Sequence, residues 1–315
     1  MKILMFGRGA IATLYGWAFT RAGHQVEYFV RPGRAAEYGS VLQVDILDCR
    51  YKRRGERVSE NLQTSLREDL PKNHDFDLVI VSVQHYNFNS VAQYLASRVS
   101  NATVLVFNNF WDEPFEAASP LPLSQLTWGF PGAGGGFPGK GMRGVLLKKV
   151  NFGTLGPSQD NRKLMVRNLF RKTGFDIVEH EDFRGWLLIH FILNGGLHAE
   201  SMNAGSHVRL YQSVSHCRNA IRIMRELLCL LRERDVDFSA HRADLMLIKL
   251  PGWIGGSVLA LAWKFYRPLR RIVESHSMPN DPLQTVRDLV EYAKVRGIAT
   301  PLLDNAYASS VRQDR

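Results

Sequence analysis

Short apolar runs alternate with amphipathic stretches along the first 180 residues of the chain. Runs typical of buried strands occur at residues 3–6, 25–30, 77–83 and 102–107. Residues 89–100 and 161–173 instead carry their apolar positions at helical spacing. Because strands and helices alternate, we predict an α/β domain with a doubly wound parallel sheet of the Rossmann type.

The pattern changes near residue 180 and is helical almost throughout the remainder. We therefore predict two domains, residues 1–180 and residues 181–315, the second entirely α-helical. Residues 250–263 form an uncharged run of 14 residues, which is short of the ~20 that a membrane-spanning helix needs. A buried helix is the main interpretation of this run. A hydrophobic substrate wall or an interfacial patch with a basic flank is the alternative.

A glycine-rich turn follows the first strand and precedes a helix. It has the G-x-G-x-x-A pattern and comprises Gly7, Arg8, Gly9, Ala10, Ile11 and Ala12. In such βαβ units the first glycine allows a tight turn, and the second removes a side chain where phosphates approach the backbone. The amino terminus of the following helix offers free N–H groups to an anion. The pattern therefore predicts a dinucleotide-binding site; a merely structural turn is the alternative.

The end of the second strand indicates which dinucleotide would bind. An NAD site places an acidic residue there to accept from the ribose 2′-hydroxyl, whereas this chain has Arg31, with Arg34 close behind. Glu27 lies too far back along the strand to take that role. Guanidinium groups suit a 2′-phosphate, so we expect NADPH rather than NADH.

Charge and cysteine content narrow the range of partners. The formal net charge is +10, but the basic residues are spread along the chain without a nucleic-acid recognition motif, so we expect an anionic cofactor or small-molecule substrate instead. We expect neither a nucleic-acid nor a membrane partner, and a homodimer stays open. The three cysteines show neither metal-ligand spacing nor a disulfide framework, which fits a cytoplasmic protein without a metal.

Candidate cofactor-binding and catalytic groups lie at two places. Gln84, Asn108 and Asn109 follow buried strands, where ligands bind in open α/β sheets, and we expect them beside the nicotinamide, with Gln84 and Asn108 binding the cofactor. His190, Asn194 and His198 are spaced four apart and would form one polar stripe on an otherwise apolar helix. Such a stripe could supply a proton or a hydrogen bond to a carbonyl oxygen. Two satisfied core histidines with a capping Asn are the alternative.

Taken together, these features resemble the ketopantoate reductases (2-dehydropantoate 2-reductases). The resemblance rests on the glycine turn, Arg31, residues 107–109, the glycine-rich hairpin before residues 152–156, and residues 296–301. It implies an amino-terminal Rossmann domain, a helical carboxy-terminal domain and NADPH-dependent reduction of a 2-keto acid to a 2-hydroxy acid.

The resemblance also implies roles for single residues. The family's general acid is a lysine four residues before an Asn; His190 takes its place if Asn194 is that Asn, and His198 then matches a second Asn. In the other register Trp186 replaces the lysine. Gln84 replaces a second lysine, and Asn109 matches an Asn that positions nicotinamide or substrate. Residues 277–281 resemble a Ser-Met-x-x-Asp segment, which makes Ser277 and Asp281 candidate substrate ligands.

We therefore expect an NADPH-dependent reductase of a C=O or C=N compound, with an altered substrate. The predicted catalytic residues are His190, Asn194 and Asn109. Because both family lysines are replaced, the alternative is a catalytically inactive protein that binds NADPH or a metabolite.

Overall fold

The computed structural model describes residues 1–156, 160–276 and 280–313. By its internal packing the chain divides into two compact units. The first unit contains Met1–Asn108, Asp112–Phe183 and a short segment at Ser275, and the second contains Asn109–Trp111, Arg184–Glu274 and the residues from 278 onward.

The main sheet of the first unit has eight strands. They are β1 (Lys2–Phe6), β2 (Gln25–Phe29), β5 (Ser65–Arg67), β6 (Leu78–Val81), β7 (Thr103–Val106), β8 (Leu126–Phe130), β11 (Lys149–Gly153) and β12 (Asp176–His180), in the order β12-β11-β8-β7-β6-β1-β2-β5. All neighbours pair in parallel except β8 and β11. Phe6 lies opposite both Phe29 and Val81, so these strands end together at one edge. The predicted Rossmann-type fold is confirmed.

Helices cover the sheet: α1 (Ala10–Arg21), α2 (Arg34–Tyr38), α3 (His85–Ala96), α4 (Pro114–Ala118) and α5 (Asp160–Lys172), with a 3₁₀ turn at Leu123–Gln125. The Tyr15 ring of α1 packs edge-on against Phe107 at 5.3 Å. Gly16 allows α1 to approach β2, because a Cβ atom there would lie 2.2 Å from the Tyr28 hydroxyl. Close packing of this kind fixes the position of the α1 amino terminus relative to the sheet.

A second sheet of four strands was not predicted. It contains β3 (Val41–Asp48), β4 (Glu56–Gln63), β9 (Ala133–Gly136) and β10 (Met142–Leu146), in the order β4-β3-β10-β9. The glycine-rich segment forms the antiparallel hairpin β9–β10, as expected. The segment that follows is divided between β10 and β11, because the exposed Lys148 and Lys149 interrupt its apolar pattern.

The second unit is helical in its described part. Its helices are α6 (Phe183–Ala204), α7 (His207–Gln212), α8 (Val214–Glu226), α9 (Leu228–Glu233), α10 (Met246–Lys249), α11 (Gly252–Phe265), α12 (Arg267–Ser275), α13 (Asn280–Val295) and α14 (Pro301–Gln313). They enclose one core rich in Leu, Ile and Val, to which α6, α8, α9, α13 and α14 contribute. No helix in the described ranges has both the length and the apolar character needed to cross a bilayer.

The three residues after Asn108 pack with the second unit although the strand before them belongs to the first. The Trp111 ring lies 5.7 Å from Phe191 of α6 and meets Tyr292 of α13 edge-on at 5.2 Å. Arg234 donates a hydrogen bond of 2.5 Å to the Trp111 carbonyl oxygen and lies over the Trp111 ring. These contacts anchor the segment that carries Asn109.

Candidate cofactor and active site

The glycine turn between β1 and α1 has the geometry that a bound diphosphate needs. Gly7 has φ +99°, which L side chains rarely adopt, and its N–H donates to the Phe29 carbonyl oxygen at 2.9 Å. A Cβ atom added at Gly7 or Gly9 would meet no atom within 4 Å, so the space beside the turn is open. Helix α1 starts at Ala10 without a side-chain cap, which leaves its first N–H groups free to donate to an anion.

Arg8 projects from this turn and has unused donors. Its Nε and Nη1 atoms are buried and have no hydrogen-bond partner among the described residues. The guanidinium stacks on the Tyr38 ring at 4.1 Å, and burial lowers the pKa of Arg8 from its ordinary value. A buried cation without an acceptor is costly. An anionic ligand is the group that would satisfy these donors.

The Tyr38 ring lies near two residues that were predicted to bind the cofactor, Arg8 and Arg34. Tyr38 itself was not predicted from the sequence. Its ring lies within 6 Å of the guanidinium groups of Arg8 and Arg34, at 4.1 and 5.9 Å. Arg34 also pairs with Glu37 one turn further along α2. The only available signal was an aromatic residue shortly after the arginines, which alone predicts nothing.

The carboxylates near the end of β2 already accept hydrogen bonds from other groups of the protein. Glu27 accepts from Arg67 of β5 at 2.8 Å, so the nearest acidic side chain on β2 is already paired. Glu68 accepts from the Ala35 N–H at 2.6 Å; the hydrogen bonds that it receives from the Ala35 and Gly33 N–H groups lower its pKa. Arg31 itself is exposed. The region therefore presents basic donors without a carboxylate placed as in an NAD site.

The two asparagines after β7 have different surroundings. Asn108 is buried and ties the end of β7 to the second residue after β6, because its amide accepts from the Val83 N–H at 3.3 Å and donates to the Val83 carbonyl oxygen. Asn109 has both amide atoms buried without a hydrogen-bond partner among the described residues. Gln84 is the residue before α3 and is half-buried. Asn108 thus has a structural role, whereas the Asn109 amide is unsatisfied.

His190 and Trp186 occupy one face of α6. Their rings stack with centroids 5.2 Å apart and an interplanar angle of 16°. His190 keeps part of its surface accessible, yet burial of its ring among protein atoms lowers the pKa to about 4, and the charge of Asp244 opposes this effect. The imidazole is therefore neutral at neutral pH. A neutral ring still has one N–H group, which can donate a hydrogen bond to an oxyanion.

The remaining members of the predicted stripe lie on the same helix. Asn194 is half-buried. His198 exchanges a 3.0 Å hydrogen bond with His207 of α7, Nδ1 to Nε2. The pairing gives His198 a local structural partner that spacing along one helix could not reveal. Asp281 lies in the first turn of α13 and is half-buried, whereas Ser277 lies outside the described residues.

The amino-terminal part of the chain has recognisable relatives. Residues 3–119, which include the glycine turn, Arg31 and the strand end at Asn108, match the family model of ketopantoate reductase PanE/ApbA. This part of the chain is similar to the ketopantoate reductases. The predicted resemblance is thereby confirmed over these residues. No curated protein matches the sequence.

Solved structures extend the likeness of fold to nearly the whole chain. The complex of D-mandelate dehydrogenase with NADH shares 14% identity at a TM-score of 0.70, covering 99% of this chain and 98% of that one. The PanE/ApbA family ketopantoate reductase from Ralstonia eutropha shares 18% identity at 0.67, covering 98% and 97%. The dimeric ketopantoate reductase from Staphylococcus aureus shares 12% identity at 0.60, covering 99% and 98%. The two-domain fold of these oxidoreductases is thus the fold of this chain.

Proposed function

We propose that the protein is an NADPH-dependent reductase that converts a 2-keto acid into its 2-hydroxy acid. The observation that carries the proposal is the pair formed by the open glycine turn and the unsatisfied Arg8 guanidinium beside it. An anion is the ligand that both features favour. The fold shared with ketopantoate reductase and D-mandelate dehydrogenase supports nicotinamide chemistry on a keto acid.

The residues present fit NADPH. The turn Gly7–Ala12 and the α1 amino terminus would hold the diphosphate, and Arg8, Arg31 and Arg34 would meet the 2′-phosphate. Phosphate oxygens would accept from the free donors of Arg8 and so remove the cost of their burial. The paired Glu27 would not compete for the ribose. Gln84 and Asn108 follow the neighbouring strands and would border the nicotinamide half. When bound, the cofactor supplies the hydride.

The chain's own groups would orient the substrate and stabilise the developing negative charge. His190 is neutral, so it would donate its N–H to the carbonyl oxygen as that oxygen becomes an alkoxide. A neutral imidazole is too weak an acid to give up its N–H proton, so the ring would stabilise the alkoxide by a hydrogen bond while the alkoxide takes its proton from solvent water. Asn109 would use its unsatisfied amide for the substrate, assisted by Asn194. His198, Ser277 and Asp281 are proposed to bind the distal part of the substrate.

The test compares NADPH oxidation across a panel of 2-keto acids, simple ketones and cyclic imines. We expect turnover with a 2-keto acid and weaker activity with NADH. Calorimetric titration with NADP⁺ and NADPH is run in parallel. Failure to bind either nucleotide would refute the cofactor assignment. Binding without oxidation of NADPH by any compound would refute the reductase and favour the alternative, a sensor that binds NADPH or a metabolite.

A further inference from the structure

Helix α11 has two faces of different character. Gly255 and Gly256 pack on α8 beside Ile221 and Arg218, and the Trp263 ring stacks on Tyr211 of α7 at 5.9 Å. This face holds the helix in the second unit. The opposite face carries Trp253, Ile254, Val258, Leu261 and Phe265. At 3.6 residues per turn these five positions span about 140° of the helix circumference.

The outward face is unusually apolar for a protein surface. Trp253 is 66% exposed, Leu261 52% and Phe265 73%, and Tyr266, directly after the helix, is 45% exposed. Single exposed apolar side chains are ordinary, but a continuous stripe of large ones marks an interaction surface. We name the surface formed by Trp253, Val258, Leu261, Phe265 and Tyr266 the α11 face.

The sequence that contains the α11 face, residues 245–273, is basic and has no acidic residues. Between Asp244 and Glu274 the sequence contains no Asp or Glu, but it contains Lys249, Lys264, Arg267, Arg270 and Arg271. Lys264, Arg267 and Arg270 are exposed, and no carboxylate among the described residues pairs with them. The apolar surface therefore has a rim of unpaired positive charge at the carboxyl end of α11.

The combination of an apolar face and a basic rim distinguishes between two kinds of partner, a second copy of the chain and a lipid bilayer. A second copy of the chain, joined by two-fold symmetry, would set the same surface against itself and bring the basic rims together. A bilayer with anionic lipids instead accepts aromatic and aliphatic side chains at its interface and attracts Lys and Arg. We propose that the α11 face docks peripherally on an anionic lipid surface, with Trp253, Leu261 and Phe265 entering the interface. The proposal is independent of the proposed reductase activity, and it replaces the expectation from the sequence that the protein has no membrane partner.

Co-sedimentation with vesicles tests the proposal. The full-length protein is mixed with phosphatidylcholine vesicles, with or without phosphatidylserine. We expect strong partition only when phosphatidylserine is present, and weakening by salt. Each of Lys264→Gln, Arg267→Gln and Arg270→Gln should lower the partition coefficient about five-fold, the equivalent of about 1 kcal/mol per charge. Phe265→Ser should lower it about ten-fold or more.

Two matched controls distinguish vesicle binding through the α11 face from nonspecific vesicle binding. Val295→Ser changes an apolar side chain that is 83% exposed on α13, and Arg171→Gln removes an exposed charge on α5. Neither should change the partition coefficient. Thermal melting checks that each variant folds. Partition that falls as much in the controls as in the α11 variants would overturn the proposal.

Intrinsic fluorescence gives a second readout that does not depend on sedimentation. Trp253 is exposed, whereas Trp17, Trp111, Trp128, Trp186 and Trp263 are at most 8% exposed. Insertion of Trp253 into a bilayer should therefore shift the emission to the blue and allow quenching by brominated lipids. Trp253→Phe should remove both signals while vesicle binding persists.

Three further results would contradict the proposal. The first is no binding to phosphatidylserine vesicles by the folded protein. The second is equal binding to neutral and anionic vesicles. The third is a dimer in sedimentation equilibrium that Phe265→Ser converts to a monomer, because a second copy would then cover the α11 face.

Discussion

The rings of Trp186 and His190 stack at 5.2 Å on one face of α6, one helical turn apart. Sequence reasoning left open which of the two takes the position of the family's catalytic lysine. The stack shows that the two side chains form one unit, in which the indole fixes the plane of the imidazole. We therefore expect His190 to carry the chemistry and Trp186 to orient it.

Substitutions of His190 and Trp186 should have different effects on kcat. His190→Ala should reduce kcat about 10²- to 10³-fold, the range for loss of a positioned hydrogen-bond donor to an oxyanion. Trp186→Phe keeps an aromatic ring and should affect kcat far less. His24→Gln, in the first unit, is the control. Steady-state turnover of a 2-keto acid is measured for all three; an unchanged kcat for His190→Ala would remove His190 from the mechanism.

The buried imidazole should also make stability depend on pH. The pKa of His190 is lowered to about 4, below the ordinary value near 6.5 in the unfolded chain. Between these values the unfolded state binds more protons, so stability rises with pH over this window and is lost towards pH 4. The full effect is at most about 3 kcal/mol. In urea unfolding His190→Gln should flatten the dependence between pH 4 and 7; an unaltered slope would contradict the assigned pKa.

Arg31 should distinguish the two nicotinamide cofactors. Arg31→Ala removes a donor to the 2′-phosphate, so we expect NADPH affinity to fall about ten- to a hundred-fold, as for a lost charge-assisted hydrogen bond. NADH lacks the phosphate, and its affinity should hardly change. Calorimetric titration measures both. Arg53→Ala, another exposed arginine, serves as control, and equal losses for NADPH and NADH would show that Arg31 does not meet the phosphate.

Gly7 and Gly9 should respond differently to alanine. Gly7 has φ +99°, so Gly7→Ala should cost at least about 1 kcal/mol of stability. Gly9 has φ −73° and open space beside it, so Gly9→Ala should have the same melting temperature as the wild type. Its methyl group would nonetheless occupy the space needed by the diphosphate. Calorimetry should show at least about ten-fold weaker NADP⁺ binding by Gly9→Ala; wild-type affinity would refute the turn as the diphosphate site.

Asn109 should show a conflict between stability and function. Its amide atoms are buried without a partner among the described residues, so replacing them relieves a desolvation cost. We expect Asn109→Leu to be as stable as the wild type, or more stable by about 1 kcal/mol, while turnover falls. Thermal melting and steady-state kinetics give the two readouts. Reduced stability with normal turnover would show that the amide is structural. Asn108→Leu is the contrasting variant and should destabilise, because Asn108 holds Val83.

The sequence by itself determined the Rossmann-type sheet, the glycine turn and the helical second half. These features depend on local patterns, namely apolar runs, helical spacing and glycine where the backbone needs positive φ. It did not predict the second sheet, since β3 and β10 are nearly a hundred residues apart and their pairing is not a local property.

Only the tertiary structure decided the states of the candidate groups. Spacing predicted that His190, Asn194 and His198 share α6, but not that burial keeps His190 neutral or that His207 pairs with His198. Spacing also could not show that the Tyr38 ring lies within 6 Å of the guanidinium groups of both Arg8 and Arg34. Protonation, pairing and exposure depend on which atoms surround a side chain, and those atoms come from distant parts of the chain.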